Sequence, residues 1–142
     1  MSVPSALRRV VLVLLVAVAL GSAGCAARVP PETEPTIRGV ITQITPGQEA
    51  GGLILVVWHD SLGEQYELDS ISARVEETTD VFDRDGNAIE FADLEVRDVV
   101  DLWVTGPIAE SYPPQGGADA VRVVGRFDDI RPLPIPPGLV AP

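Results

Sequence analysis

The sequence predicts an all-β domain, a small five-stranded barrel with one short helix between its third and fourth strands. Three observations point there. Between residues 37 and 129 the chain offers five short segments that are apolar or alternate apolar with polar, most of them rich in Val, Ile or Thr. Gly, Pro and Asp-Gly turn signals separate several of them. A stretch of this size, with few aromatics and no cysteine pair, also gains from closing its sheet, because closure removes exposed edges.

The first strand is predicted over Ile37–Thr45. Ile37, Val40, Ile41 and Ile44 also fit helical spacing, but β-branched residues dominate, Gly39 disfavours a helix interior and Pro46-Gly47 closes the segment as a turn. Leu53–Trp58 follows Gly51-Gly52 as a continuous apolar run, short enough for a strand buried on both faces. In the third, Ile71, Ala73 and Val75 alternate with Ser72, Arg74 and Glu76, the pattern of a half-buried strand. Asp83-Arg84-Asp85-Gly86-Asn87 is a turn. Beyond it Phe91 and Leu94, three apart, suit one helical turn plugging an opening of the barrel. Val99–Thr105 and Ala118–Gly125 supply the last two strands. Five strands with a helix between the third and fourth is the order of an oligonucleotide/oligosaccharide-binding (OB) barrel.

Residues 1–24 read as an address and not as part of this fold. Arg8-Arg9 precede an unbroken apolar run from Val10 to Leu20, and Gly21-Ser22-Ala23-Gly24 lead into Cys25. As a helix the run spans about 16 Å, against the ~30 Å of a bilayer core, so it is too short for a membrane span. Ser22-Ala23-Gly24-Cys25 resembles the bacterial lipoprotein box. That resemblance implies cleavage before Cys25 and attachment of a diacylglyceryl group, with palmitate-type acyl chains, to its thiol; two chains suffice for stable anchoring. Pro30, Pro31 and Pro35 with Glu32 and Glu34 then make residues 25–36 an extended spacer holding the domain off the membrane. Residues 130–142 form a Pro-rich tail, because proline cannot donate to helix or sheet.

Composition narrows the function further. The 142 residues allow one ordinary domain. A net charge of −11 repels phosphate backbones, so no nucleic-acid partner is expected. A single Cys and a single His cannot build a Cys-based zinc cluster or a multi-histidine site, and no metal or cofactor is expected. Aligning Gly86 with the glycine of a calcium loop puts Val81 and Ala92 at ligand positions, so Asp83, Asp85 and Asn87 read as hairpin-turn chemistry.

Residues Asp85–Trp103, followed by Gly106-Pro107-Ile108-Ala109-Glu110-Ser111-Tyr112-Pro113-Pro114-Gln115, resemble a domain-of-unknown-function family found in small bacterial lipoproteins. The resemblance runs from about Ile37 to Gly125 and implies an OB-like fold without an assigned activity. Where that family commonly has Gly before the fourth strand, this chain has Arg97.

The reading that follows is an exported, lipid-anchored, non-catalytic module binding a protein, glycan or small ligand at the cell envelope. Its ligand surface is placed on the first three strands and the Tyr112 loop, with Trp58, His59 and Arg74 as further candidates. Tyr112 is suited to stacking on a sugar or an apolar partner, while Trp58 and Trp103 fit a core role better and Arg74 a water-facing one. Two other readings stand beside it. A structural or accessory lipoprotein would show a smooth acidic surface. A hydrolase would use His59 with Asp60 and Ser61, and needs acid and nucleophile within hydrogen-bond reach of the ring, inside a cleft.

Overall fold

Residues 26–129 are described by a computed structural model. The leader, Cys25 and the tail from residue 130 lie outside the described residues. Among the described residues seven strands form: β1 (Ile37–Pro46), β2 (Gly52–Val57), β3 (Ser70–Val75), β4 (Asp80–Phe82), β5 (Ala88–Ile89), β6 (Asp98–Val104) and β7 (Gln115–Arg126). Five of them close a barrel in the order β3-β2-β1-β6-β7, sealed by parallel pairing of β7 with β3 over Gln115–Gly117. Further along, β7 leaves β3 and takes β4 as its parallel neighbour at Ala120–Arg122, and β5 pairs antiparallel with β4. The barrel is therefore the expected one with a two-stranded extension.

The helical-looking spacing of β1 has a sheet explanation. Ile37, the Cβ position of Gly39, and Ile41 face inward by strict alternation, and a register shift between Ile41 and Gln43 then advances the phase by one. Ile44 consequently packs against the core although it stands three positions beyond Ile41. Gly39 lies so close to β2 that an added Cβ would meet Val56 Cγ1 and the Val57 carbonyl oxygen at 2.7 Å. In β7 a second shift skips Asp119, so that Ala118 and Val121 both point inward and Ala120 points out.

The expected short helix is not formed. The chain after the Asp83–Asn87 turn gives the two residues of β5 and then a 3-10 turn over Phe91–Asp93. The Glu90 N–H donates to Asp93 Oδ2 at 2.9 Å, and Leu94 returns to extended backbone, which ends the turn after three residues. The plugging role survives in reduced form: Leu94 is buried in the core, and Phe91 packs on it with its ring over Gly52.

The stretch expected to be a spacer lies on the barrel. Its prolines keep it out of the sheet, yet it docks by single bonds. Arg28 pairs with Asp80 at 3.1 Å. The Trp103 indole N–H donates to the Thr33 carbonyl at 2.9 Å, and the Thr36 N–H donates to the Leu102 carbonyl at 2.8 Å. This arm helps to cover a second apolar cluster, Phe82, Trp103 and Ala120, on the outer face of β4, β6 and β7. Beside it Asp101, also on the outer face of β6, is buried under Arg38, which donates to both of its oxygens at 2.6 and 2.8 Å.

Arg97 occupies the position before β6 with φ at 78°, the left-handed conformation that glycine adopts at least cost. Neighbours hold it there. Its N–H donates to the Ile41 carbonyl, its own carbonyl accepts from the Phe127 N–H, and its guanidinium pairs with Asp128 and sits 5.5 Å from the centre of the Phe127 ring.

Candidate functional site

Of the residues singled out in the sequence, Trp58 and His59 share one hollow while Tyr112 and Arg74 lie elsewhere. Tyr112 stands at the tip of its loop, 99% exposed. The hollow nearest that loop, about 300 Å³ beside Ile108 and Gln115, has no aromatic wall. Arg74 is exposed on β3 and lies 3.9 Å from Glu76. Trp58 is half-buried, packs against the core and donates from its indole N–H to the Glu64 carbonyl. With His59 it lines a hollow of about 280 Å³ that also includes Val40, Val57, Val96 and Phe127.

His59 does meet both of its supposed catalytic partners, but on one nitrogen. Nδ1 lies 2.8 Å from Ser61 Oγ and 2.9 Å from Asp60 Oδ1, and it accepts the Ser61 N–H at 3.1 Å. A relay needs the acid on one ring nitrogen and the nucleophile on the other. What these contacts build is the cap of the 3-10 turn Asp60–Leu62, on an exposed edge, with the ring packed edge-on to Phe127.

The Asp83 loop is likewise satisfied from within. Oδ1 accepts the N–H groups of Asp85 and Asn87 at 2.9 and 2.8 Å, and Oδ2 accepts from the Asn87 side chain at 3.1 Å. These bonds, the Asn87 backbone first, hold the Asp83 carboxyl below the usual carboxylate range. Among the described residues no group of three or more His, Cys, Asp or Glu side chains is arranged around a metal position.

A cavity of about 720 Å³ lies at the plugged end of the barrel. It is bounded by the β1–β2 turn, the β3–β4 turn and the Phe91–Asp93 turn. Ile44, Val75, Val81, Ile89, Phe91 and Leu94 give it apolar walls. Carboxylates stand at its rim: Glu49 from the first turn, Glu76 and Glu77 from the second, Glu90 from the third. Thr79 ties the second turn down, its hydroxyl donating to the Ala118 carbonyl at 2.7 Å and accepting the Glu76 N–H at 2.9 Å. Gly51 makes the close approach of the two turns possible, since φ is 125° and an added Cβ would lie 2.3 Å from the Val75 carbonyl oxygen. Arg28 of the docked arm closes one side.

This site was not legible in the sequence. Its signal was divided: Phe91 and Leu94 were legible as a plug, whereas the four glutamates sit in turns, where an acidic residue is ordinarily a solvated one.

Such a molecule belongs to the class of small closed β-barrels carrying a preformed cavity at one end. More particularly, the chain belongs to the DUF3221 family, described as protein of unknown function, whose model matches residues 50–125. The matched range runs from the β1–β2 turn to near the end of β7 and leaves β1 outside. No curated protein and no solved structure matches the chain.

Proposed function

We propose that this protein is an exported lipoprotein, anchored through Cys25, whose OB-like barrel serves the cell envelope as a non-catalytic binding module, with the cavity at the plugged end as its binding site. One observation carries the choice of site: the cavity is walled by apolar side chains and bordered by Arg28, which follows Cys25 by only three residues. Three residues of extended chain span about 10 Å. An anchor on Cys25 would therefore hold the cavity close to the lipid surface, and the docked arm leaves little slack for a free spacer. The leader, with its paired arginines, short apolar run and small residues before a lone cysteine, supports the anchoring.

The test is Cys25→Ser. The variant is expected to leave the detergent phase and to lack the mass of a diacylglyceryl group. Unchanged membrane retention refutes anchoring. The accessory reading draws on one feature, Tyr112 exposed without an aromatic patch around it; it requires that closing the cavity by substitution leave the protein's role intact.

A further inference from the structure

We infer that the plugged-end cavity takes a small cationic amphiphile, a molecule with one ammonium or guanidinium head and a short apolar body. The inference deepens the reading of the chain as a binding module and rests on it. Two features must be met at once. The walls offered by Ile44, Val81, Ile89 and Phe91 reward an apolar body that leaves water, and a volume of about 720 Å³ is in the range of small-molecule sites. The rim carries four carboxylates, three of which lack a close cation. Among the described residues Glu49, Glu77 and Glu90 have no Lys, Arg or His within 4.0 Å, and the nearest for Glu76 is Arg74 at 3.9 Å. Arg28, the cation bordering the cavity, is engaged by Asp80 at 3.1 Å.

A positive head seated among these groups gains attraction from three turns that converge from different parts of the chain, while an anionic head with the same body meets repulsion from all three. The apolar wall supplies affinity without regard to sign, and the rim supplies the choice. With the anchor about 10 Å away, the cavity would meet such molecules where they concentrate, at the membrane interface.

The test uses the chain from residue 25 onward, produced without the leader and carrying Cys25→Ser, ¹⁵N-labelled and free of acyl chains, so it does not depend on lipidation. Three probes are titrated below their micellar concentrations: decyltrimethylammonium, decyl sulfate and tetramethylammonium. Saturable shifts of the Val81, Ile89 and Leu94 amides are expected with decyltrimethylammonium, at least tenfold weaker binding with decyl sulfate, and none with tetramethylammonium. Glu49→Gln combined with Glu77→Gln, both exposed positions, should weaken decyltrimethylammonium about tenfold without changing the melting temperature. Decyl sulfate binding equally well in the cavity overturns the ligand class and leaves a binding module standing. Absence of saturable shifts with both decyl probes overturns the class and the cavity together, and does not touch the anchoring judged by membrane retention.

Discussion

Arg38→Met tests how the outer face of the barrel is held. Asp101 is 5% exposed, and its carboxylate accepts two hydrogen bonds from a guanidinium whose own side chain is 41% exposed. The hydrogen bond to Asp101 is the chief reason the Arg38 group is raised above its ordinary value. Methionine keeps most of the packing of the aliphatic stem and deletes the charge, which leaves a buried carboxylate without its partner. Breaking a fully buried pair in this way costs about 3–5 kcal/mol. Because the arginine end is open to water, which can enter and solvate the orphaned group, about 2–3 kcal/mol is the expected loss here. For a domain of this size that is roughly 10–15 °C in Tm. Arg38→Met with Asp101→Leu removes both charges and should recover most of the loss, since a matched apolar replacement strands nothing. Urea and thermal unfolding at pH 7 measure all three proteins. A loss below about 0.5 kcal/mol for Arg38→Met, or no recovery in the double variant, would refute the account of Asp101 as a buried charge held by one partner.

Three further outcomes are expected. Thr79→Val should cost about 1–3 kcal/mol in urea unfolding, because it orphans the Glu76 N–H and the Ala118 carbonyl together, while Thr79→Ser should cost much less. Burial, the largest influence on Asp98, pushes its carboxyl above the ordinary carboxylate range, against the Glu95 N–H and Arg126, so the folded protein binds this proton more readily than the unfolded chain does. That contribution to stability is present at low pH and is lost as pH rises through the carboxylate range; Asp98→Asn, which keeps an acceptor for the Glu95 N–H, should therefore gain on the wild type as pH rises from 3 to 7, and the opposite slope would overturn the assignment. Trp103→Phe removes the indole bond to Thr33 and should raise hydrogen exchange at the Thr36 N–H about fivefold, with the Ile54 and Val100 amides unchanged; equal exchange in both proteins would mean that the arm is held without it.

What the sequence disclosed of this fold depended on length and on the nature of the partner. All five barrel strands were legible because each runs six residues or more and carries its own apolar pattern. β4 and β5 were not, since three and two residues hold no period, although the turn joining them at Asp83–Asn87 was plain. Trp103 was legible as buried, but what buries it was hidden. The indole lies on the outer face of β6 against an arm whose prolines announce only the absence of a ladder, and docking through the Thr33 carbonyl leaves no trace in composition. Of the proposed ligand surface, Tyr112, Trp58, His59 and Arg74 stand out in the sequence as conspicuous residue types on the expected side of such a barrel. The structure keeps Trp58 and His59 side by side but sets Tyr112 and Arg74 apart from them, because a loop tip, a strand end and a strand middle need not converge.

The cavity and the altered plug are one fact. Residues three apart align on a 3-10 turn, which advances one residue per third of a turn, so the spacing of Phe91 and Leu94 satisfies a 3-10 turn as well as a helical one. The capping contact between Asp93 and the Glu90 N–H stabilises the first turn, and the extended Leu94 prevents a second. A longer helix across this end would bring its own side chains down onto Ile44 and Val81. Three residues bring only Phe91, and Leu94 just beyond them, which seal the core beneath but leave the space between the three turns unfilled. The glutamates on those turns then face a shared opening rather than a helix surface. It is this early stop, set by Glu90, Asp93 and Leu94, that turns a structural plug into a candidate site.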